Sequence, residues 1–213
     1  MSITNGYLTA KEAQEYTGRQ FADGSGILDD VVTACSRMID RHCGRHFYQA
    51  GTEVAPVSRF FDATTPSLLK LGPFNDLVWI DTLESDDNGD GVYETTWSST
   101  NYQLGPVGAA SRAPFAEPFT EIRLLNSYDF EMHVTSGRTG LIAVTGVWGW
   151  PDVPVDVKQA CRILVAEVAK LQDAPFGVAG NDLTGVMYAP RQMPSAAKRL
   201  LAPFVHPGHV GIG

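Results

Sequence analysis

Cysteine is scarce in this 213-residue chain: only Cys35, Cys43 and Cys161 occur. An odd number cannot pair completely, and Cys35 and Cys161 fall on apolar helical faces. Reduced, buried thiols are therefore expected rather than a disulfide framework. Basic residues are also in short supply, 16 against 24 acidic, for a net charge of −8. Loose binding to nucleic-acid phosphates needs Lys and Arg to displace counterions, so it is disfavoured. A protein that DNA passes without sticking is not excluded. No apolar run is long enough to cross a bilayer, and the opening MSITNGYLTAKEAQ has neither the basic nor the apolar region of a signal peptide. A soluble, cytosol-made protein with no membrane partner is the expectation. The sequence has no Gly-x-Ser-x-Gly elbow, phosphate loop or dinucleotide fingerprint. We expect no catalysis and no cofactor.

What is present is a globular composition, 44% hydrophobic and 19% charged, with 21 Gly and 13 Pro to make turns. The organising stretch is residues 148–180. Pro151 and Pro154 lead into it, Asp156 sits near the positive helix N-terminus, and Pro175 and Gly177 end it. Val157, Ala160, Cys161, Leu164, Val165, Val168 and Leu171 recur at three-and-four spacing, which predicts one long helix over 155–172.

Nearer the start, Thr9-Ala10-Lys11-Glu12 reads as a capping box opening a short helix that Gly18 stops. A second helix is predicted after Gly26, with Asp29 and Asp30 in its first turn, Arg41 in its last and Gly44 terminating it. Between residues 56 and 147 the texture changes. Short apolar or aromatic runs at 57–61, 68–71, 77–83, 92–97, 102–104, 121–125 and 141–147 alternate with turn signals, which predicts antiparallel strands. A long loop is expected over 105–118, and a last short helix over 195–201.

The fold class that follows is α+β: a small helical core with one long helix in the C-terminal half, interrupted by a β-rich antiparallel insertion, plus an extended C-terminal arm. The expected boundaries are 1–55 and 148–202 for the helical core, 56–147 for the insertion and 203–213 for the arm.

Two constellations suggest metal. Asp86, Asn88 and Asp90 take alternate positions before Gly91, like the first half of a calcium loop. The bidentate Glu such a loop needs is replaced by Trp97, leaving Glu94 or Glu84 as substitutes. Asn-Gly and Asp-Gly are equally strong turn dipeptides, and a plain hairpin turn is the favoured reading. Cys35, His42, Cys43 and His46 invite zinc, but Gly44 interrupts the helix between the histidines, and a structural helix end is favoured. Trp148 and Trp150 mark a strand-to-helix corner that is either structural or an interface anchor.

Several features in order carry a resemblance. Tyr7-Leu8-Thr9 precedes a short helix. The second helix ends Ile39-Asp40-Arg41-His42-Cys43-Gly44-Arg45-His46-Phe47. Gly149-Trp150-Pro151, Val153-Pro154 and Asp156-Val157-Lys158-Gln159-Ala160 follow late in the chain, then Ala174-Pro175-Phe176-Gly177. Together they resemble the head–tail connector, or adaptor, proteins of long-tailed bacteriophages, over about half the chain. The resemblance implies a non-catalytic virion protein of the neck. It would form a ring of about a dozen copies by a closing head-to-tail interface, docked under the portal protein and receiving the next neck or tail-completion protein. DNA would pass through the channel without specific binding. The implied docking arm comprises Pro203, Phe204, Val205, His206, Pro207, His209, Val210 and Ile212. Candidate subunit-interface residues are Trp148, Trp150 and Phe176. The alternative is a calcium-binding structural or adhesive β-module standing on the Asp86 loop.

Overall fold

The computed structural model describes residues 3–18, 26–112, 116–131, 137–172, 179–180, 187–188 and 193–209. The architecture is α+β, with four α-helices among the described residues and antiparallel sheets. The chain forms two compact units. One comprises Met1–Gly44 with Val153–Gly213; the other is Arg45–Asp152.

The helical unit is built from α1 (Ala10–Thr17), α2 (Ile27–Cys43), α3 (Val155–Gln172) and α4 (Ser195–Leu201). The capping box forms at α1: the Thr9 hydroxyl accepts from the Glu12 amide, and the Glu12 carboxylate accepts from the Thr9 amide at 2.8 Å. Gly18 and Gly44 close α1 and α2 in the left-handed conformation. Pro154 starts α3, its carbonyl accepting from the Lys158 amide at 3.0 Å. The apolar stripes meet in one core, with Val32, Cys35 and Ile39 from α2, Val157, Leu164 and Val165 from α3, and Leu201 from α4 all buried. Each such Val, Leu or Ile contributes about 1.5–3 kcal/mol on burial. The N-terminal segment is tied to α2 by polar groups. The Tyr7 amide donates to the Ser36 hydroxyl at 3.1 Å, the Tyr7 phenol donates to Asp40, and Arg37 pairs with Asp40 at 2.9 Å. Short strands β8 (Ala179–Gly180) and β9 (Met187–Tyr188) pair in the Gly-rich stretch.

The β unit holds two sheets around one core. The first has order β1-β7-β3-β4, with β1 (Val57–Phe61), β3 (Leu77–Ser85), β4 (Thr95–Thr96) and β7 (Ile142–Trp148). The second has order β2-β6-β5, with β2 (Leu68–Lys70), β5 (Tyr102–Gly105) and β6 (Glu121–Leu124). Leu69, Ile122 and Leu124 from the second sheet join Leu83, Val144 and Trp148 from the first in the core. Central β7 is buried at nearly every position, so it reads as an apolar run rather than an alternation. Gly146 is required there: a Cβ would lie 2.2 Å from the Trp79 carbonyl oxygen, where β3 is irregular.

The units divide earlier on the N-terminal side, and slightly later on the C-terminal side, than composition suggests. Ala50 bonds Trp148 in both directions, at 2.8 and 3.0 Å, so residues 45–55 and 148–152 belong with the strands. The 92–97 run is a strand only at Thr95–Thr96. Within the expected 105–118 loop, Ala109–Ser111 forms a 3-10 turn.

Candidate functional site: acidic hairpin, buried clasp and C-terminal segment

The loop from Asp86 to Glu94 joins β3 to β4, an antiparallel pair, and so closes a hairpin. Its geometry is set by Asp86, which is buried. One Asp86 oxygen accepts from the Gly89 amide at 2.6 Å and the Asp90 amide at 3.2 Å; the other accepts from Gly91 at 2.8 Å. Asn88 Oδ1 accepts from the Asp90 amide, and Asp90 Oδ1 from the Val92 amide, each at 2.8 Å. Desolvation pushes the Asp86 carboxyl up, but the Gly91, Gly89 and Asp90 amides and the charge of Arg138 together hold it below its ordinary value. Glu94 completes the turn, taking Asn88 Nδ2 at 2.5 Å and the Asp87 amide at 3.2 Å. Carboxylate oxygens of Asp86, Asp90 and Glu94 lie within 4.8 Å of one another, the one such set among the described residues. A hard cation accepts oxygen ligands of this kind. Those oxygens already serve the turn, and Glu94 joins the set while Asn88 spends its amide on Glu94.

The two tryptophans considered as interface anchors are inside the β unit. Trp148 has no exposed surface and donates from Nε1 to the Val57 carbonyl at 2.7 Å. Trp150 is 4% exposed, with Phe47 at a ring distance of 5.2 Å. As folded, neither presents a surface to another copy, because each indole is used in intramolecular packing. Trp150 belongs to a clasp that sequence reading missed. Arg45 pairs with Asp76 at 2.5 Å, and Trp150 Nε1 donates to the other Asp76 oxygen at 3.2 Å. The Asp76 carbonyl also accepts from the Gly149 amide at 2.8 Å. Burial pushes the Asp76 carboxyl up, with Arg45 and Trp150 pulling the other way; the net shift is upward. Arg45 and Trp150 lie near the two ends of the β unit, so one carboxylate ties both.

Of the arm residues, 203–209 lie against the helical unit. Ala202–Phe204 forms a 3-10 turn, and Phe204 and His206 are buried. The His206 amide donates to the Cys43 carbonyl at 2.8 Å, and His209 Nε2 meets the Arg41 carbonyl at 2.7 Å. Burial, with Lys198 and His209 nearby, holds the His42 imidazole below its ordinary value. Val210, Ile212 and Phe176 lie outside the described residues.

Charge is divided unevenly. The helical unit has ten basic and ten acidic residues, whereas the β unit has six basic and fourteen acidic, which is the whole net charge of −8.

No protein-family model matches this chain, and no curated protein matches it. Solved structures do. The fold is shared with chains of gene transfer agent particles. A chain from the neck of an empty gene transfer agent (GTA) particle, computed with C6 symmetry, superposes with a TM-score of 0.61. It is 18% identical, and the alignment covers 99% of this chain and 95% of that one. A chain from the virion of a native GTA particle superposes with a TM-score of 0.55 at 18% identity, covering 94% and 92%. At this identity the likeness is one of fold.

Proposed function

We propose that this chain is a structural head-to-tail adaptor of a phage-like particle. It resides in the virion neck and forms a ring of about twelve copies by a closing head-to-tail interface. The ring sits under the portal, extends the DNA channel and receives the next neck or tail component. The supporting observation is the end-to-end fold match to a chain of a GTA neck, at a TM-score of 0.61. The C6 symmetry used for that neck is compatible with twelve copies. Residues 203–213 reach the portal, and α3 and the β unit contact neighbouring copies. The charge division supports the channel: a β unit carrying −8 beside DNA repels the duplex and lets it slide.

The test is to assemble particles without this chain and examine them by electron microscopy. Portal-bearing heads and tails should accumulate unjoined; normally joined, infectious particles would refute the proposal. Deleting residues 203–213 also removes buried Phe204 and the partners of two α2 carbonyls, so it should lower the stability of the helical unit, and the protein that stays folded should no longer dock. A calcium-binding β-module is favoured only by the Asp86, Asp90 and Glu94 oxygens, and predicts little effect of that deletion.

A further inference from the structure

The last turn of a helix leaves carbonyls without intrahelical partners. At the C-terminus of α2 the Asp40 carbonyl is taken locally, by the Gly44 amide at 2.8 Å. The Arg41 and Cys43 carbonyls are taken from far along the chain, by His209 Nε2 at 2.7 Å and the His206 amide at 2.8 Å. The His segment is shaped for this. His206 Nδ1 accepts from the Gly208 amide at 3.0 Å, and the His206 carbonyl accepts from the His209 amide at 2.9 Å, which curls residues 206–209 into a turn. Phe204, 4% exposed, anchors the turn from one side. Gly44 opens the other. Its φ is +64°, and a Cβ there would lie 2.5 Å from His209 Cγ, so the ring occupies the space a side chain would fill. Residue 44 is glycine for two reasons at once.

We propose that the α2 C-terminus is a latch that stows the C-terminal segment in the free protein, and that the segment must leave it to dock. The proposal rests on the adaptor reading, which assigns docking to the same residues. A stowed segment is competent only in the fraction of molecules whose latch is open. The apparent docking rate and affinity are reduced by that fraction. Weakening the latch from the α2 side, with the arm sequence untouched, should therefore speed docking.

The test compares wild type, Gly44→Ala and His209→Ala as full-length chains. Hydrogen exchange of the His206, Gly208 and His209 amides reads the latch, and binding to the portal ring of the same particle reads docking. Gly44→Ala evicts the His209 ring while leaving the arm intact. His209→Ala removes the hydrogen bond to the Arg41 carbonyl and leaves Gly44 unchanged; because it alters the arm itself, it is read by exchange alone. Loss of one such bond should raise the open fraction about fivefold, with exchange faster in proportion in both variants and docking faster in Gly44→Ala. Gly44→Ala should do at least as much. Unchanged exchange in both variants, or faster exchange in Gly44→Ala with docking no faster, overturns the latch. Wild type that never binds the portal ring removes the adaptor reading and the latch's purpose with it. Wild-type binding at a rate that Gly44→Ala leaves unchanged overturns the latch alone.

Discussion

Removing the Asp76 carboxylate should unfold the β unit at markedly lower denaturant. Asp76 is 1% exposed and the Arg45 side chain 11% exposed. Asp76→Ala therefore leaves a guanidinium buried without its counter-ion, which costs about 3–5 kcal/mol. The Trp150 N–H loses its acceptor as well, for about 1–3 kcal/mol. The two losses share one site and do not add in full, so a total of about 4 kcal/mol is expected, against a typical domain stability of about 5–15 kcal/mol. The double variant Arg45→Met, Asp76→Leu removes both charges together. It retains only the unsatisfied indole N–H, so it should lose about 1–3 kcal/mol, less than the single variant. All four tryptophans lie in the β unit, so urea unfolding followed by tryptophan fluorescence reports this unit directly. A single variant as stable as wild type, or a double variant no better than the single, would refute the reasoning.

Three further outcomes follow. Glu12 is held below its ordinary carboxylate value first by the hydrogen bond from the Thr9 amide, opposed by desolvation and aided by the Thr9 hydroxyl, Lys158 and Arg162. A depressed folded value stabilises above the unfolded value of 4.5 and is lost as pH falls through the lower folded one. Glu12→Gln keeps an acceptor for the Thr9 amide and removes only the charge, so it should melt slightly below wild type at neutral pH, by about 0.3–1 kcal/mol, with the gap closing in acid; a pH-independent gap would contradict this. Burial pushes the Cys35 thiol up to about 12 and Cys161 up to about 11, and Cys43 is fully buried. All three should resist alkylation in the native chain and react in denaturant, as read by intact mass. Calcium at millimolar concentration should leave the melting temperature unchanged, because the Asp86 oxygens already hold three backbone amides; a clear rise would restore the metal reading.

The parts legible in the sequence are those set by local chemistry. Thr9 with Glu12, Pro154, Gly18 and Gly44 fix helix ends within a turn, so α1, α2 and α3 could be read directly. Runs such as Val57–Phe61 announced strands because their neighbours are turn residues. The 92–97 run misled because Val92 and Glu94 bond into the hairpin turn instead of a ladder. The clasp was invisible: Asp76 meets partners 31 and 74 residues away, and no periodicity encodes that. An aromatic pair such as Trp148 and Trp150 suits a core and an interface equally, and only burial separates them. The aperiodic tail looked like a free arm. Its order comes from single contacts with α2, which leave no repeat to read.

The clasp has one more consequence. Because a single carboxylate fastens the beginning and the close of the inserted strands, that portion is a cassette with its own buckle. It could be exchanged for another of different size, or replaced by a short flexible bridge, while the helices keep their packing. Diversity among proteins of this fold should therefore concentrate between residues 45 and 152.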